Sequence, residues 1–141
     1  MNSLDFSSLI KATNSLKAAL EVALPDKQMG EMSQEARNTI KAGVIQNFEF
    51  TYELSWKFMK RWLEIDLGSS YVDGLSRKEL FRLAAEHHLI IDSETLFEYH
   101  DCSNETTHTY DEKTAEEVFS AAINFSKDAI ILLANLQAKN A

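Results

Sequence analysis

The stretch from Gln34 to Leu67 constrains the fold more than any other part of the chain. Ile40, Val44, Phe48, Tyr52, Trp56, Met59 and Leu63 recur at steps of three or four residues, which is the period of an α-helix. Phe50, Leu54, Phe58 and Ile65 form a second apolar stripe beside the first, and Gln46, Glu49, Glu53, Lys57, Lys60 and Glu64 form a polar third. At a rise of ~1.5 Å per residue such a helix spans roughly 45–50 Å. So wide an apolar arc has to be covered by more than one neighbour, and the length predicts that one end packs on another chain. Ser33 is placed to cap the start.

The rest of the chain follows the same period. Its 141 residues include one proline and four glycines, a composition that favours an all-α domain over a sandwich or barrel. Residues 1–141 are read as one helical-bundle domain. A first helix is predicted from about Leu4 to Ala23, with Leu9, Thr13, Leu16 and Leu20 on one side. Pro25 ends it, because proline lacks the N–H that the next turn needs. Residues 25–33 and 68–76 are read as a connection and a loop. Ser76 with Glu79 gives a capping box for a short helix from Arg77 to about His88. Asp92 or Ser93 caps a fourth helix ending near Thr107. Asp111 caps the last, whose Val118, Ala122, Phe125, Ala129, Leu132 and Leu136 line one face. About five helices with short connections predict an up-and-down bundle.

Composition narrows the function. The formal net charge is −8, which argues against a general affinity for nucleic acid. From Asp92 to Phe119 there are nine acidic residues and one basic one, Lys113, an asymmetry suited to solvated faces or to orienting a partner protein. The single cysteine, Cys102, excludes an internal disulfide and a multi-cysteine zinc site, and a reducing cytoplasm is the expected compartment. The opening "MNSLDFSSLI" has no secretory pattern, and no apolar run approaches the ~18 residues of a membrane span. There is no Walker A loop, no G-x-G-x-x-G and no nucleophile elbow, so any nucleotide is handled without a glycine-rich phosphate cradle.

Polar residues cluster on the fourth helix. His100, Asn104 and His108 are spaced by four and share one face. Thr106 and Thr107 are poor helix formers, which predicts a helix end at His108 and places His108 and Tyr110 at a mouth. Histidine suits acid or base work near pH 7, and Asn104 is placed to fix the tautomer of His108 or to bond a ligand. The plain alternative is that His108 and Asp111 merely end one helix and begin the next. Glu105 and His108 have the Glu-x-x-His spacing of carboxylate-bridged di-metal bundles, but such a site needs a second copy and more carboxylates, so neither metal nor cofactor is expected. Glu49, Glu53 and Lys57 form a charged row, either a solvated face or a polar lip beside His108. Trp56 and Trp62 are read as core or interface residues, His87 and His88 as a fraying helix end, and Cys102 as an ordinary helix residue.

"GVIQNFEFTYELSWKFMKRWLE" followed by "NETTHTYDE" resembles the nucleotidyltransferase substrate-binding family within the HEPN superfamily, over about Lys11 to Leu133. The resemblance implies a bundle like the C-terminal domain of kanamycin nucleotidyltransferase and a homodimer. It also implies a separately encoded minimal nucleotidyltransferase partner that carries the catalytic carboxylates. The chain itself is then a non-catalytic subunit that binds a nucleotide or nucleotidyl-acceptor substrate, with Asn104 and His108 as substrate-binding residues, and the polar-lip reading adds Glu49 and Glu53 to them. Many relatives of this kind are ribonuclease toxins with an Arg-x4-His motif and a tyrosine two residues on, which the partner modifies as antitoxin. Carried over, the histidine is His108, the asparagine Asn104 and the nucleotidyl-acceptor tyrosine Tyr110, while Ser103 stands at the arginine position. A serine cannot supply a guanidinium's paired charged donors, a loss commonly worth roughly 3–4 kcal/mol of barrier. The ribonuclease alternative, with His108 catalytic and RNA as substrate, therefore needs an arginine from elsewhere, such as Arg77 or Arg82.

Overall fold

The structure, a computed structural model, describes residues 4–108 and 112–140. These form seven helices: α1 (Ser7–Ala23), α2 (Asp26–Glu31), α3 (Gln34–Leu67), α4 (Ser69–Val72), α5 (Arg77–Glu86), α6 (Ser93–His108) and α7 (Glu112–Lys139). No strand occurs among the described residues. The five helices expected from periodicity are the five longer ones. The other two are short pieces inside what reads as connection and loop: α2 starts after Pro25, whose fixed φ suits a helix entrance, and α4 follows Gly68.

Local chemistry sets the boundaries. The Ser33 side chain accepts from the Ala36 N–H and starts α3. Gly68, at φ 97°, ends it in a backbone conformation that favours glycine. The Ser76–Glu79 capping box is formed in both directions. At α6 the cap is Asp92, whose carboxylate accepts from the Glu94 N–H and the Thr95 hydroxyl. Asp5 accepts from the Ser7 N–H, so α1 begins at Ser7 rather than Leu4. The α5 helix stops at Glu86, with His88 at φ 60° in the turn that follows. Asp111, the expected cap of α7, lies outside the described residues.

Pairings across helices fix their directions. Thr51 donates to the Ala12 carbonyl and Ser15 to Asn47, so α1 and α3 run antiparallel. Lys41 bridges to Glu116 and Phe48 meets Phe125 at 5.3 Å, so α7 runs with α3. Tyr99 of α6 donates to Asp128 of α7 and lies 5.2 Å from Phe125; Leu96 shares a cavity with Ile131 and Cys102 one with Ala121, so α6 runs against α7, and it also touches α3. The four long helices therefore alternate up and down, and α5 lies against α3 and α6. At the centre, Phe48, Tyr52, Phe81 and Phe125 are buried against one another. The second stripe of α3 divides: Phe58 is buried, whereas Phe50 and Ile65 are 62% and 46% exposed.

Candidate functional site

Three helices bring a polar cluster together where α3, α5 and α6 meet. Tyr52 belongs to the buried stripe of α3, and its ring is only 2% exposed. Its hydroxyl reaches the edge of the core, 2.8 Å from His100 Nδ1 on α6. Arg77, the first residue of α5, donates from Nη1 to the same hydroxyl at 3.5 Å, and its guanidinium stands over Trp56 with Cζ 3.4 Å from the ring centroid. One turn along α6, the Asn104 carboxamide nitrogen lies 3.3 Å from His100 Nε2. Phe97 packs on the other side of the imidazole at 5.5 Å.

The electrostatics follow from this packing. Burial pushes the Tyr52 phenol up to about 12, against the pull of the Arg77 hydrogen bond and charge. Burial, then the positive charge of Arg77, holds His100 below its ordinary value, while Asp101 and Glu53 act in the opposite sense. His100 is therefore neutral near pH 7. Arg77 occupies a lone pair of the Tyr52 oxygen, which directs the phenol proton toward Nδ1. If Tyr52 donates to Nδ1, the imidazole proton is on Nε2 and meets the Asn104 carboxamide through its oxygen, the two ends of the carboxamide being interchangeable by a flip. The arrangement sets a cation, an imidazole held toward its neutral form and an amide side by side, which is a chain of hydrogen-bonding groups around one phenol.

The structure distributes the expected site residues unevenly. Asn104 is on the predicted face, but its described partner is His100, one turn before it, rather than His108. His108 closes α6, and its side chain lies outside the described residues, as does Tyr110. Ser103 is half-buried on α6. Glu53 accepts from the Trp56 indole N–H at 3.1 Å and pairs with Lys57 at 3.5 Å on an exposed face. Glu49 is half-buried, and its carboxyl is raised above the usual range by desolvation. The sequence places Tyr52 in the core stripe and Trp56 in the core or an interface, and Arg77 enters only as the first residue of a short helix and as a substitute arginine. The available signal was chemical: a hydroxyl on an otherwise hydrocarbon stripe needs a polar partner when buried.

A family model described as "Nucleotidyltransferase substrate binding protein like" matches residues 4–138. A Haemophilus influenzae protein named "Probable ribonuclease HepT" is 35% identical over 121 residues, which cover 84% of this chain and 83% of that protein. A solved structure from Haemophilus influenzae, described as revealing the fold of a substrate binding domain of a nucleotidyltransferase, aligns with a TM-score of 0.89 at 31% identity. It covers 94% of this chain and 99% of that one. A crystal structure from Thermus thermophilus aligns with a TM-score of 0.67 at 26% identity, covering 89% of this chain and 98% of that one.

Proposed function

Since the chain belongs to the nucleotidyltransferase substrate binding protein like family, we propose that it is the non-catalytic, substrate-binding subunit of a two-component minimal nucleotidyltransferase, working in the cytoplasm as a homodimer. The observation that carries this reading is the match to a substrate-binding-domain fold over 94% of the chain, in a sequence without a phosphate-cradling loop. Catalytic carboxylates and phosphate loop come from the partner, and this subunit contributes the α6 row with Asn104 and His108, flanked by Glu49 and Glu53. Tyr110 is the acceptor: its phenol oxygen attacks the α-phosphate of a nucleoside triphosphate held by the partner, losing its proton as pyrophosphate leaves. The second copy covers Phe50 and Ile65 on α3. Both are exposed, and with Leu54 they fall on one side of the helix.

Gel filtration of this chain with its nucleotidyltransferase at micromolar concentration tests the pairing, and co-elution is expected. Intact-mass analysis after incubation with the partner and ATP should show one added nucleotidyl group, absent in Tyr110→Phe. Light scattering should give a dimer that Phe50→Glu reduces to monomer. Separate elution of the two proteins would sink the subunit reading.

One observation favours a second reading, a ribonuclease toxin held in check by the partner: the Arg77 guanidinium bonds Tyr52 and acts on His100 of α6, about one turn before the motif position held by Ser103. That reading predicts RNA cleavage and growth arrest on expression, both abolished by His108→Ala. An unaltered RNA substrate after prolonged incubation disposes of it.

A further inference from the structure

The last stretch of α6 has no apolar side chain. From Ser103 to His108 it reads Ser-Asn-Glu-Thr-Thr-His, and Thr106 and Thr107 are poor helix formers. Hydrophobic burial therefore has little to act on there. Leu96 and Tyr99 are buried, and Phe97 and Cys102 are half-buried, but all four lie upstream. Where Asn104 and His108 stand is set by how the helix is held before them.

Two successive residues hold it, each to a different neighbour. Tyr99 donates to Asp128 of α7, and His100 Nδ1 bonds the Tyr52 hydroxyl of α3 at 2.8 Å. Together the two bonds fix both the height and the rotation of α6 between α3 and α7. Apolar contacts tolerate sliding, whereas a hydrogen bond weakens steeply outside a narrow range of distance and angle. The imidazole is fixed on its faces as well, with the Tyr52 ring at 5.9 Å and the Phe97 ring at 5.5 Å. Tyr52 is fixed in turn by its buried ring and by the Arg77 N–H. From His100 Nε2 the line continues to the Asn104 carboxamide at 3.3 Å. A row of hydrogen bonds thus runs from the core stripe of α3 into the segment without apolar residues. Phenylalanine and leucine would fill the same space as Tyr52 and His100, so the polar pair has a use other than burial. Single polar contacts of this kind set the register of packed helices.

We propose that Tyr52 and His100 are positioning residues: their hydrogen bond, carried on to Asn104, sets the register of the last turns of α6 and so the placing of the Asn104 and His108 row. Both act through the helix and not on a substrate. The pin stands on the geometry of α3 and α6. Its consequence for nucleotidyl transfer to Tyr110, two residues beyond His108, rests on the subunit reading.

Two readouts on the full chain test the pin. The first is backbone hydrogen exchange followed by NMR, which reports local opening amide by amide. Tyr52→Phe keeps the ring, and His100→Leu keeps the bulk; each should speed exchange over residues 103–108 about tenfold relative to the cores of α3 and α7. His100→Gln carries both an acceptor and a donor on its amide and should restore exchange to within about threefold of the wild type. The second readout is the initial rate of labelling from ATP by the partner nucleotidyltransferase. Tyr52→Phe and His100→Leu should lower kcat about tenfold with KM for ATP unchanged, and His100→Gln should recover most of it. A packing role alone would reverse the order, with leucine the better substitute at a half-buried position. Leucine matching or exceeding glutamine, or exchange over residues 103–108 unchanged in Tyr52→Phe, overturns the proposal. Should the wild-type chain take up no nucleotidyl group, the acceptor reading of Tyr110 fails while exchange still decides the pin. Normal labelling beside unchanged exchange overturns the pin and leaves that reading standing.

Discussion

Single residues in the cluster carry more than one constraint. Tyr52 fills the core with its ring and anchors the polar cluster with its hydroxyl, 2.8 Å from His100. His100 in turn has a stability signature. Its folded pKa is held below the ordinary value by burial and Arg77, whereas the unfolded chain titrates at about 6.5. Above that pH neither state is protonated. As pH falls below it, the unfolded chain takes up a proton that the folded one resists, so stability is lost progressively until the pH passes the lowered value. Urea unfolding at stepped pH should show this loss in the wild type, and His100→Gln should remove its contribution. A wild-type-minus-variant difference that stays constant from pH 7.5 to 5 would rule the assignment out.

At the scale of the helix, much was written locally. The start and end of α3 follow from Ser33, a 3.6-residue apolar period and Gly68. The capping box at Ser76 is legible because both its hydrogen bonds form within four residues. It also has a distant consequence, since it orients the first turn of α5 and with it Arg77. Ser76→Ala should cost about 1 kcal/mol in urea unfolding and should loosen the stack on Trp56, read as a change in tryptophan emission. Unchanged emission would mean that Arg77 is positioned by Trp56 and Tyr52 alone. The two short helices α2 and α4 were not legible as helices. At six and four residues they are too short to establish a period and owe their form to contacts with α1 and α3.

For the whole molecule, the aromatic cluster joins the bundle to the site. Phe125 of α7 lies within 5.2–6.2 Å of Phe48, Tyr52 and Tyr99 on two other helices. Phe125→Ala should therefore cost about 3–5 kcal/mol, much of the 5–15 kcal/mol typical of a domain, and should appear as a large drop in urea midpoint. A loss near 1 kcal/mol would mean that the core closes around the gap. The sequence by itself determined the helices, their caps and the residues that face inward, because hydrogen bonds and apolar period act between residues a few positions apart. It also placed Asn104 and His100 on one face of α6, for the same reason. Only the tertiary structure decided that Tyr52 meets His100 across 48 positions and Arg77 across 25. Partners between helices are chosen by how whole surfaces pack, and no local pattern encodes which polar groups that packing will bring within a hydrogen bond of one another.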